Sequence, residues 1–186
     1  MIFLSKGIPI RRTNGGVEVS HCGTLHRLTD QPAALWLSGL YKPGYTQTTE
    51  QGSMLKGLIE MGFAEASADT EPVDIFRLLT NCVICPRKPA PVLPLLNSTE
   101  RRIWKWITRA GLRLTIAELV FLLEKGIRPV LGLLGEANRQ ALTEAIYTFE
   151  TIYDGILENR MENSPARDKT VQSVLGLLRK RKIFLI

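Results

Sequence analysis

Cys82 and Cys85, separated by Val83 and Ile84, have the spacing of half a tetrahedral zinc site, and His21, Cys22 and His26 are the donors that could complete it. A closed zinc site requires a second pair at metal-type spacing, and the sequence has none. Two thiols flanking valine and isoleucine read as readily as a buried apolar segment, since cysteine is among the most buried residue types. A thioredoxin-like dithiol would need a βαβ surround, which is missing. The two histidines have no nucleophile motif beside them, and neither a Gly-rich phosphate loop nor a spaced pair of carboxylates occurs. These patterns nominate no catalytic residue, no cofactor and no complete metal site, so the expectation is a protein that is not an enzyme.

The remaining chemistry is that of cations. The formal net charge is +6. Residues 1–89 hold nine Lys or Arg against eight Asp or Glu, whereas residues 90–186 hold fifteen against ten, so the halves carry +1 and +5. An excess confined to one half suits an anionic partner, nucleic acid first; the plainer reading is a solvated surface that keeps the chain soluble.

The elements that must position those cations are clearest at the C-terminal end. Ser164 is a good N-cap residue with Pro165 at the first helical position. Val171, Val174, Leu175 and Leu178 then recur on one stripe of a helix near 166–180. The basic run Arg179-Lys180-Arg181-Lys182 leads into Ile183-Phe184-Leu185-Ile186, which reads as a short strand. Upstream, Asn97 to Ile107 has the cap and apolar spacing of a helix. Leu112 and Leu114 alternate as a small strand, and Thr115 with Glu118 forms a capping box for the next helix.

This succession of helix, strand, helix, later helix and terminal strand resembles the winged helix-turn-helix superfamily of DNA-binding proteins over roughly half the chain, with a long insertion at about 127–163. The resemblance implies that Arg167, Lys169, Thr170, Gln172 and Ser173 lie on the half of the helix that meets DNA, with Gln172 reading a base edge. It implies that Arg179, Lys180, Arg181 and Lys182 hold phosphates at the entry to the wing.

The N-terminal half carries a weaker version of the same signals. Asn14-Gly15-Gly16 marks a turn, and segments 17–22 and 24–28 alternate as paired strands about Gly23. Ala33, Trp36, Leu37 and Leu40 form a helical stripe after Asp30. A second helix runs from Thr48 or Thr49 to Met61-Gly62, followed by a strand from Phe63. The run Leu55 to Gly62 echoes the C-terminal end, so residues 1–85 read as a degenerate winged helix. Through its Gly-Gly turn, paired strands and small-residue helix with Trp36, this half is also similar to winged helices that hold leader peptides for peptide-modifying enzymes.

Prolines 86, 89, 91 and 94 mark an interdomain linker over 86–95, leaving 96–186 as the second domain. Within the insertion, Leu142, Ile146, Phe149, Tyr153 and Ile156 fall on one stripe of a single long helix, which either joins two copies as a homodimer or packs on the chain's own first domain. Trp104 and Trp106, two apart on one helix, cannot both face a core; Trp104 could stack bases among its neighbouring cations or pack at an interface.

The expectation is therefore a mainly α protein with small β wings (α+β), made of two winged-helix-like domains, without a membrane span and cytoplasmic. Its expected role is a transcription regulator reading duplex DNA. The alternative is a protein or peptide interaction module on the same scaffold.

Overall fold

The computed structural model describes residues 1–87, 95–109, 111, 113–129, 135–147 and 155–186. These residues form an α+β fold of helices carrying small antiparallel sheets. None of the described helices is long and apolar enough to cross a membrane.

The chain opens with β1 (Ile2–Ser5), then a meander of β2 (Ile8–Thr13), β3 (Gly16–His21) and β4 (Thr24–Thr29). The β3–β4 turn places Cys22 and Gly23 at φ 48° and 82°, the positive values that a type I′ hairpin requires. There follow α1 (Asp30–Gly39), β5 (Gly44–Tyr45), α2 (Thr49–Glu60) and β6 (Ala64–Ser67). β1 is the centre of a sheet in the order β5-β1-β6, with Phe3 facing Gly44 on one side and Ala66 on the other. The fully buried Phe3 ring fills the space that a Cβ at Gly39 or Gly44 would occupy, so both glycines are there for close approach.

The second half begins with α3 (Pro72–Thr80) and β7 (Ile84–Pro86). It continues through α4 (Ser98–Arg109), an isolated bridge at Leu114, α5 (Ile116–Glu124), α6 (Gly135–Ile146), α7 (Ile156–Glu162), α8 (Arg167–Arg179) and β8 (Ile183–Leu185). Here β7 is the central strand: Ile84 faces Leu114 on one side and Leu185 on the other. The plan of the first half is thus repeated, with a central strand flanked by a short strand after one helix and a longer strand after another.

The likeness extends to the last turn of each helix. Gly62 N–H bonds to Ile59 O and Phe63 N–H to Leu58 O; Arg181 N–H bonds to Leu178 O and Lys182 N–H to Leu177 O. Both are Schellman ends, with Gly62 at φ 77° and Arg181 at φ 53°. Arginine there adopts a conformation that favours glycine, and its guanidinium lies 4.9 Å over the Tyr41 ring.

Packing does not divide at the proline segment. Ile75, Phe76, Leu78, Leu79, Cys82 and Ile84, all before residue 86, belong to the same apolar cluster as α4, α5 and α8. Ile2 and Leu4 of β1 join that cluster too, while Phe184 of β8 belongs to the N-terminal one. Gly7 N–H bonds to Leu185 O, and Arg77 pairs with Glu162 across α3 and α7. Residues 88–94 of the expected linker, with three of its four prolines, lie outside the described residues, while Pro86 ends β7.

The single long helix expected over the insertion is not found. α6 stops at Ile146, and Gly155 stands at φ 80° before α7 begins at Ile156. Gly155 is the N-cap of α7, and a left-handed residue cannot stand inside a continuous α-helix. Phe149 and Tyr153 lie outside the described residues.

Candidate nucleic-acid interface

Helix α8 is the axis of the C-terminal half. It is in contact with α3, α4 and α5, and Thr170, Val171, Ser173, Val174, Leu175, Leu177 and Leu178 are buried. Three neighbours leave a strip about one residue wide, formed by Lys169, Gln172 and Arg179, with Asp168 at its start. The expected cap is displaced: α8 begins at Arg167, and Ser164 Oγ instead accepts from Ala166 N–H at 3.1 Å and donates to Glu124 at 2.5 Å.

The residues expected to meet DNA therefore separate into three groups. Lys169, Gln172 and Arg179 are exposed. Thr170 and Ser173 are turned inward and donate to the carbonyls of Ala166 and Lys169 at 2.7 and 2.8 Å. Arg167 donates to Glu162 O and to Asp168. Lys180 Nζ is held by Glu100 at 2.5 Å and by Leu95 O at 3.0 Å, Arg181 covers Tyr41, and Lys182 is 6% exposed. The basic turn is thus largely committed to the fold.

Helix α4 supplies cations that are not committed in this way. Its start is a reciprocal cap: Asn97 Oδ1 accepts from Glu100 N–H and Glu100 Oε2 accepts from Asn97 N–H, both at 2.8 Å. That cap directs Glu100 inward, 3% exposed, and leaves Arg101, Arg102 and Lys105 on the outer side. Arg128, four residues past the end of α5, approaches from another element. Arg101, Arg102, Lys105 and Arg128, with Ser98 and Pro129, line a cavity of about 370 Å³. Arg102 also lines an adjoining cavity of about 320 Å³ together with Lys169, Thr99, Glu124 and the start of α8. One guanidinium therefore links the α4 cations to the exposed strip of α8. Among the described residues, Arg102, Lys105, Arg128 and Lys169 make no ion pair with a carboxylate. Like charges gathered on one surface repel one another. A mobile or bound anion offsets such repulsion.

Trp106 is 3% exposed in the core and Trp104 packs, half-buried, against its edge. The cysteine pair sits elsewhere. Cys82 is 1% exposed and donates to Leu78 O at 3.4 Å, and burial pushes its thiol up to about 12. Burial raises Cys85 as well, opposed by the Arg113 charge. His21 and His26 flank the Phe63 ring at 5.3 and 5.1 Å, and burial, then Lys6 and His26, lowers His21. Of the proposed dimer stripe, Leu142 and Ile146 are buried in the chain's own core and Ile156 is 37% exposed. Those first two side chains have no surface left for a partner.

The Arg102–Arg128 convergence was not evident in the sequence, because its cations come from three separate segments; the one local hint was the dense run of basic residues in α4. No family model, no curated protein and no solved structure matches this chain.

Proposed function

We propose that this chain binds duplex DNA as a regulator of transcription, through the face built by α4, the segment after α5 and the exposed strip of α8. In this reading each half is a winged helix, the first a degenerate one. The observation that carries it is the convergence of Arg101, Arg102, Lys105, Arg128 and Lys169 on two adjoining cavities, with Gln172 exposed one turn along α8 from Lys169. The cations hold phosphates, which fixes orientation but carries no sequence information. Gln172 can pair with an adenine edge, and it stands on a narrow strip, so sequence discrimination is modest and phosphate contacts dominate affinity.

The test is the salt dependence of duplex binding. Five neutralised phosphates give a slope of log Kobs on log salt near −4 to −5. Arg102→Ala and Lys169→Ala should each lower it by about one, whereas Gln172→Ala should leave the slope and cost about 1–3 kcal/mol at one base pair. Absence of duplex binding at low salt would overturn the reading.

A second reading has its own observation. In the N-terminal half a cavity of about 560 Å³ lies between α1 and the start of α2, lined by Leu35, Tyr45 and Met54 with Gln31, Gln47 and Gln51 and no Lys or Arg. Glu50 is the one charged residue among the described residues that line it; such a lining suits a peptide, and binding there would change less with salt than binding through several cations.

A further inference from the structure

We propose that the cavity lined by Arg101, Arg102, Lys105 and Arg128 is a seat for a compact, multiply charged phosphate: a diphosphate, or the terminal phosphate of a nucleic acid strand. This does not rest on the duplex reading, because a chain that binds no duplex could still hold such an anion.

The cavity is concave and has a volume of about 370 Å³, more room than a single phosphate needs. Among the described residues six line it, of which four are cations and none is acidic. The one carboxylate in the first turn of α4, Glu100, is directed away into the core by Asn97 and Lys180. The cations are also presented from two elements. Arg101 and Lys105 are spaced one helical turn apart, Arg102 lies beside Arg101 in sequence, and Arg128, after α5, lines the same cavity. Arg101 is anchored to Leu96 O at 3.3 Å, while the other three have no carboxylate partner among the described residues. Guanidinium groups offer paired donors that match phosphate oxygens, and three of the four cations are arginine. Ser98, in the first turn of α4, adds a hydroxyl.

One backbone diester carries a single negative charge and so neutralises only one of these four cations, and a duplex must bring several diesters to satisfy the set. A diphosphate or terminal monoester brings more charge on a narrower stem.

The experiment is titration calorimetry of the full chain with inorganic pyrophosphate at fixed ionic strength, paired with thermal melts. A single site should appear, and pyrophosphate should raise the melting temperature more than chloride at equal ionic strength. Arg128→Ser and Arg102→Ser should each weaken binding about tenfold or more, whereas Arg139→Ser, on the exposed side of α6, should not. Arg102→Lys keeps the charge without the fork and should fall between. Melts without ligand show whether each variant is folded; should Arg102→Ser unfold, Arg128→Ser decides alone.

A single-stranded oligonucleotide with a 5′-phosphate that competes with pyrophosphate, where its dephosphorylated twin does not, assigns the seat to strand ends. Competition by neither assigns it to a free diphosphate. Pyrophosphate binding that persists unchanged in Arg128→Ser, or no binding at all, overturns the proposal.

Discussion

Gly57 and Gly176 hold the same place in the two halves, each the fifth residue before the left-handed residue of a Schellman end, yet substituting them should have opposite effects. Alanine is favoured over glycine inside a helix by about 0.8–1 kcal/mol. Nothing lies within 4 Å of a Cβ placed on Gly57, so Gly57→Ala should stabilise by about that amount. A Cβ on Gly176 would overlap Glu100 Oε1. That carboxylate is buried, and its other oxygen accepts from Asn97 N–H at 2.8 Å and from Lys180 Nζ at 2.5 Å. Displacing it weakens the α4 cap, about 1 kcal/mol, and the ion pair, held to about 1 kcal/mol because the Lys180 side chain is 33% exposed. Set against the propensity gain, Gly176→Ala should destabilise by about 1 kcal/mol. For a chain of this size each change is worth about 2–4 °C in Tm, in opposite directions. Thermal melts of both variants, and of Gly176→Ala in a Glu100→Ala background, make the test. With Glu100 removed, Gly176→Ala should become stabilising. If Gly176→Ala stabilises the native chain as Gly57→Ala does, the proposed crossing of Glu100 against α8 is wrong.

Tyr147 donates to Glu118 Oε1 at 2.7 Å, and burial followed by that carboxylate raises its phenol above the ordinary range. A raised folded-state value favours the protonated form, so its contribution is present below about pH 10 and is lost as the pH climbs past the unfolded value. Tyr147→Phe should cost about 0.5–1 kcal/mol at neutral pH. In urea titrations above pH 10 the gap should narrow, and a constant gap would contradict the assignment. A protease site introduced between Arg87 and Leu95 tests the packing: because β7 pairs with β8 and α3 shares a core with α8, the cut chain should still elute as one species and melt once. Separation into two fragments in native buffer would refute it.

Local signals were the legible part of the sequence. Thr115 and Glu118 form both bonds of the predicted capping box, and Thr48 accepts from Gln51 N–H where a cap was expected. The α8 stripe and the terminal strand lie where the spacing put them. Remote partners were not legible. Ile2-Phe3-Leu4 and the Ile84-Cys85 segment are central strands whose neighbours are far along the chain, so neither alternates and neither announces itself. Helix α3, begun by Pro72, lies in a stretch to which no element was assigned. The basic turn looked free because Glu100, the partner of Lys180, is eighty residues away. The two apolar clusters interlock because β1 lends Ile2 and Leu4 to the C-terminal one and β8 lends Phe184 to the N-terminal one, which no composition shift at the prolines could reveal.

The internal repeat explains why an anion site should stand in one half only. Gln47, Glu50 and Gln51 line the cavity at the start of α2; Ala166, Lys169 and Thr170 hold the corresponding three places at the start of α8 and line the cavity there. Opposite them, α1 contributes Gln31, Ala34 and Leu35, where α4 contributes Arg102 and, next door, Arg101 and Lys105. At the helix ends Glu60, Met61, Gly62 and Phe63 correspond to Arg179, Lys180, Arg181 and Lys182. The backbone plan is the same and the sign of the lining is not. A shared scaffold fixes where a cavity forms between the two helices, and the side chains on those helices decide what enters it. At the one matched cavity position that is charged in both halves, the N-terminal copy has the acidic Glu50 where the C-terminal copy has Lys169, so the two linings differ in the sign of their charge. This asymmetry is what an anion seat in the C-terminal half alone would require, since the N-terminal lining carries Glu50 and no cation among the described residues.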